Sequence, residues 1–101
     1  MVSLLMLTIL SYPLVVAPIQ TVSMPQNAHI LAVTDENGPE LSLWAQVNPA
    51  NSVENRIIGV IAPGEALLEK PVGNSYIGSV QLQGASNVYH VFELSTPLDT
   101  L

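Results

Sequence analysis

Cysteine is absent from this chain, which excludes a disulfide framework, a thiolate metal site and a cysteine nucleophile. Charge is scarce. Asp, Glu, Lys and Arg make up 10% of the residues, where an average soluble domain has roughly 25%. Arg56 and Lys70 are the only cations. A pair of cations cannot form a patch that follows a phosphate backbone, so nucleic acid is not an expected partner. Imidazole is limited to His29 and His90, with no HxH or HExxH spacing, and no metal site is expected. His90 stands among Val88, Phe92 and Leu94 and reads as a satisfied core or edge histidine. No serine occupies a strand–turn–helix nucleophile motif. Pro63-Gly64 alone does not make a phosphate-binding loop. Asp35 and Glu36 read as solvated turn carboxylates. The expectation is a chain that is not an enzyme and carries no cofactor.

Long uninterrupted apolar runs are missing too. Residues 1–10, MVSLLMLTIL, have the look of a signal-peptide core but lack a positive leader, and a cut after Ala17 would put Pro18 beside the cleaved bond. Pro13 and Pro18 break the run short of the ~20 residues a membrane helix needs. No membrane partner is expected. The segment reads as an uncleaved apolar arm leading into a first strand over residues 7–16, with Pro13 confining part of that strand to an edge or a bulge.

What the chain does have is apolar sequence in strand-sized pieces. It has 101 residues, 49% of them hydrophobic, a mean hydropathy of +0.42 and a net charge of −6. Its length suits one domain with one modest core, an arm at residues 1–6 and a tail at residues 95–101. A small domain has much surface for its volume. Part of this apolar sequence is therefore expected to be buried against other subunits, its own copies or other proteins.

The clearest stretch is residues 29–48, HILAVTDENGPELSLWAQVN, which reads as a hairpin around Asn37-Gly38. Leu41, Leu43, Ala45 and Val47 alternate with Ser42, Trp44, Gln46 and Asn48, so burial of the leucine face pins the register. Trp44 lies on the polar face. It reads either as part of a second covered layer or as an anchor for a partner. Residues 19–24 form a short strand, and Pro25-Gln26-Asn27 a turn. Residues 48–55 read as a polar loop, and 56–62, RIIGVIA, as a central strand with Gly59 marking a bulge or a close backbone approach. Residues 65–70, EALLEK from Glu65 to Lys70, are the one good helical stretch, of about one and a half turns. Strands follow at 76–83, with a bulge at Gly78, and at 88–94, with Val88, His90, Phe92 and Leu94 on one face. The predicted fold is all-β: a small antiparallel sandwich or partly open barrel of about seven strands with one short helical turn. Leu31, Val33, Leu43, Val47, Ile58, Val60, Val80, Val91 and Phe92 are the predicted core. Leu4, Leu5, Leu7, Trp44 and Tyr89 are the candidate interface residues.

Five fragments carry a resemblance: MLTILSYPL from Met6, QTVSMPQNAHIL, LSLWAQVNP, YIGSVQ and VYHVFE. In this order they resemble a family of small phage and prophage proteins with a domain of unknown function. Its members carry MKTIWKYPL-like, IxMPxGAxIL, LWAxVDP, YxGTxQ and VWHVFE patterns. The resemblance runs from Met6 to Glu93. It implies a phage source and a usual family start at Met6, which makes residues 1–5 an extra apolar extension. The sequence departs from the family over residues 61–73, where IAPGEALLEKPVG replaces a glycine-rich, histidine-containing turn.

The function expected from these features is that of a non-enzymatic phage structural protein, such as a capsid decoration protein of the virion, bound through apolar contacts. A net acidic protein suits the outside of a capsid better than the packaged DNA, because like charges repel. The alternative is an accessory protein in the host cytoplasm that binds a host protein or sequesters a small signalling molecule. For a nucleotide ligand, cationic contacts beyond Arg56 and Lys70 would be expected.

Overall fold

The alternation over residues 41–47 places one strand at the centre of a layer. The computed structural model describes residues 6–35, 40–65, 75–81 and 88–94. Among them the chain forms seven antiparallel strands and no helix: β1 (Thr8–Leu14), β2 (Gln20–Pro25), β3 (His29–Asp35), β4 (Leu41–Val47), β5 (Val53–Ile61), β6 (Ser75–Gln81) and β7 (Val88–Leu94). β1, β4 and β3 make a three-stranded sheet in that order, and β2, β5, β7 and β6 a four-stranded one. The sheets are not closed into a barrel, so the chain takes the sandwich-like form of the two expected. Of the predicted helical stretch, residues 66–70 lie outside the described residues. Ahead of it, Ala62-Pro63-Gly64-Glu65 forms a β-turn. Glu65 N–H donates to the Ala62 carbonyl at 3.1 Å, and Gly64 takes the positive φ of 90° that such a turn assigns to glycine.

The core lies between the layers. Leu41, Leu43, Ala45 and Val47 supply one side and are wholly excluded from solvent. Ile58, Val60 and Val91 oppose them from the other sheet, and Leu14, Val22, Met24, Ala28, Val33 and Val80 complete the cluster. Pro13 is accommodated because β1 is an edge strand, where a missing N–H costs no internal ladder bond.

Two predicted core residues lie elsewhere. Leu31 is 44% exposed. The β3–β4 register shifts between Ile30 and Ala32, so Ile30 faces inward opposite Ala45 and Leu31 is the unpaired residue of a bulge. Phe92 is half-buried on the outer face of β7, because Val91 takes the inner face and neighbours on a strand point opposite ways. The polar loop after β4 is also shorter than expected. Val53, Glu54 and Asn55 already pair with Pro25, Met24 and Ser23 of β2.

The two flagged glycines serve different ends. The β6–β7 register shifts between Tyr76 and Gly78, the expected bulge. At Gly59 the β5–β7 ladder runs without a shift. There the backbone of Pro18 comes close enough that an added Cβ would sit 2.8 Å from its carbonyl oxygen, and 3.3 Å from a Leu94 methyl. The same crossing is fixed by Val60 N–H donating to the Ala17 carbonyl at 2.9 Å. Gly59→Ala should therefore destabilise the fold by about 1–3 kcal/mol through overpacking. A denaturation midpoint equal to the parent's would show that the Pro18 segment can yield.

Candidate functional site

The strand edges differ in character. β3 and β6, each at an edge of its sheet, approach one another, and both are bulged. Bulges twist an edge and make it a poor template for a further strand. β1 is different: its register against β4 is continuous from Thr8↔Val47 to Leu14↔Leu41. Its other side has no neighbour among the described strands. Apolar side chains flank that edge. Of the eleven large hydrophobics exposed among the described residues, seven fall between Met6 and Ile19: Met6, Leu7, Ile9, Leu10, Val15, Val16 and Ile19. The charge pattern adds to this. Every Asp, Glu, Lys and Arg lies at position 35 or later, so β1, β2 and nearly all of β3 are uncharged.

The candidate interface residues separate on this frame. Leu4 and Leu5 lie outside the described residues. Leu7 is exposed at the start of β1 and lines a cleft of about 430 Å³ with Asn27, His29, Gln46, Asn48 and Asn51. The cleft forms because two turns meet at that end: Gln26 N–H donates to the Ser52 carbonyl at 2.7 Å, and Asn51 Nδ2 to the Gln26 carbonyl at 2.9 Å. Asn27 takes a positive φ of 66° there, a conformation asparagine tolerates. Its walls are amides, an imidazole and one leucine, with no charged group. Trp44 is half-buried on the outer face of β4, across from Ser11 and Ala32. Its indole leans over β3 and donates to the Thr34 hydroxyl at 2.8 Å. Leu7 and Trp44 thus share the outer face of the three-stranded sheet. Tyr89 does not join them: it pairs with Val80 and packs against the core.

Two further groups stand out. On the outer face of the four-stranded sheet, Tyr76 meets Phe92 edge-on at 5.1 Å between ring centroids, and its hydroxyl lies 3.0 Å from His90 Nδ1. His90 is thereby partnered, on the outer face of a strand that lies between β5 and β6 and not at an edge of the sheet. At the end of the inner face, Arg56 grips the Glu93 carboxylate with Nε and Nη2 and donates from Nη1 to the Ala28 carbonyl at 3.0 Å. Glu54 stands 3.6 Å away. The hydrogen bond to Glu93 raises the Arg56 pKa above its ordinary value, against the lowering effect of burial, and the charges of Glu93 and Glu54 add to the rise. Arg56 is the only cation among the described residues, and it is fully engaged within the domain.

The sequence reading missed the cleft asparagines and the Arg56–Glu93 pair. Asn27 and Asn51 were legible only as turn residues, since nothing local shows that their turns meet. A lone arginine beside Ile57-Ile58 was the available sign of an internal ion pair. Among the described residues no three His, Asp or Glu side chains gather as metal ligands, and no helix is long and apolar enough to cross a membrane. No curated protein and no solved structure matches this chain. One family model does, over residues 6–100, and the chain belongs to that family, the Domain of unknown function (DUF7352).

Proposed function

We propose that this domain is a non-enzymatic structural protein of a phage particle, a minor virion component such as a capsid decoration protein. It docks through the uncharged apolar surface around β1. The observation that carries the reading is the concentration of exposed apolar side chains between Met6 and Ile19, in and beside a regular strand edge that has no neighbour among the described strands. A solvated monomer gains nothing from such a surface, and partners that bury it gain about 25 cal/mol per Å² of apolar area. The net charge of −6 suits an outer position on a particle. The phage source rests on the fragment resemblance. Quantitative mass spectrometry of purified particles should find the chain in a fixed, multiple copy number. Abundance in infected-cell lysate with absence from particles would overturn the virion reading.

That second outcome would favour the alternative, a cytoplasmic accessory protein of the phage. The amide-lined cleft beside Leu7 is the observation on its side, and it fits a neutral ligand. An anionic signalling molecule fits less well, because Arg56 is already committed to Glu93.

A further inference from the structure

We infer that the occupant of the β1 edge is a second copy of this chain. Its β1 runs antiparallel to the first, centred on Ile9, and joins two three-stranded sheets into one. The inference deepens the docking reading and rests on it, by naming the partner. Three observations select a second copy. The first is charge. All formal charge lies from Asp35 onward and sums to −6, so two copies repel over most of their surfaces. The β1 edge is where like-charged chains can approach without that repulsion. A basic partner would instead be drawn to the acidic part of the molecule.

The second observation is regularity. Strand addition needs backbone donors and acceptors at even spacing, and β1 has an unshifted register over its length. β3 and β6 are bulged, and β2 shows Thr21 and Ser23 to solvent and ends at Pro25. The third is the position of Pro13. It offers no donor, so an incoming strand must be centred N-terminal to it. Centring on Ile9 pairs Ile9 with its own copy, Leu7 with Ser11 and Thr8 with Leu10. Pro13 then falls at the end of the ladder. The pairing is self-complementary, as a two-fold interface requires. It also covers Leu7, Ile9 and Leu10 on the two faces of the new sheet.

The test uses the purified full chain. Sedimentation equilibrium at micromolar concentration should give a dimer. Ile9→Lys should shift it to monomer and leave the melting temperature within a degree or two of the parent's, because Ile9 is 55% exposed and outside the core. Ile9→Cys should form an inter-chain disulfide on mild oxidation, since paired positions lie about 5.5 Å apart, within the ~4.4–6.8 Å that a disulfide spans. Val53→Cys, exposed on β5, should not. A monomeric parent overturns the inference, and so does an oligomer that survives Ile9→Lys without cross-linking through Ile9→Cys. The latter result leaves docking itself standing with a different occupant or surface. If the parent is monomeric and deletion of residues 1–5 produces a dimer, the chain's own arm is the occupant and the inference fails.

Discussion

Replacing Leu43 with alanine should cost the domain about 2–5 kcal/mol, whereas the larger truncation Phe92→Ala should cost less. Leu43 is wholly buried at the centre of β4, between Tyr12 on β1 and Val33 on β3, with the second sheet over it. Truncation removes its transfer free energy and leaves a cavity that two fixed layers cannot collapse to fill. A domain of this size has only ~5–15 kcal/mol of stability, so Leu43→Ala should be near the limit of folding at physiological temperature. Phe92 lies on the outer face, only partly buried, and its main specific contact is the edge-on approach to Tyr76. Such a pair adds about 0.5–1.5 kcal/mol beyond area burial. Paired urea denaturation of the two variants decides the matter. Phe92→Ala falling further than Leu43→Ala would mean that the outer face is a second core.

That reversal of rank follows from what alternation can and cannot say. β4 was legible to the residue, because its side chains alternate strictly and one face enters a core. In β7 both Val91 and Phe92 were hydrophobic enough to be read as core. A strand presents neighbours to opposite faces, and the pattern does not state which face is inward. β3 failed differently. His29–Asp35 carries no glycine to mark its bulge, so period-two counting put Leu31 inside. In β6 the same irregularity was legible because Gly78 marks it. The β1 edge was half legible. Pro13 announced an edge strand, and the apolar arm announced a surface in need of cover. That the β3 and β6 edges are bulged depends on long-range register, which no local pattern carries. The cleft beside Leu7 was not legible, since it exists only where two distant turns are tied together.

The Arg56–Glu93 pair gives the second large effect, and its sign depends on what is removed. Arg56→Met alone should destabilise the domain by about 1–3 kcal/mol. A fully buried pair that loses one partner costs about 3–5 kcal/mol, but these side chains keep 17% and 25% of their exposure, so water softens the loss. Glu93 would be left with an unpartnered carboxylate at the end of the core, and the Ala28 carbonyl would lose its donor. Glu93→Leu alone should cost a comparable amount, because it strands the guanidinium. The double variant removes both charges, keeps the net charge at −6 and fills the site with apolar volume. It should lie within about 1 kcal/mol of the parent, since an ion pair replaced as a unit escapes the penalty of a lone buried charge. Urea denaturation of all four proteins gives the coupling energy directly. A double variant destabilised by the sum of its singles would show that the two side chains act independently. A coupled result would show that the only cation among the described residues serves to close the end of the sandwich and hold the start of β3 through Ala28, and is not held in reserve for an anionic ligand.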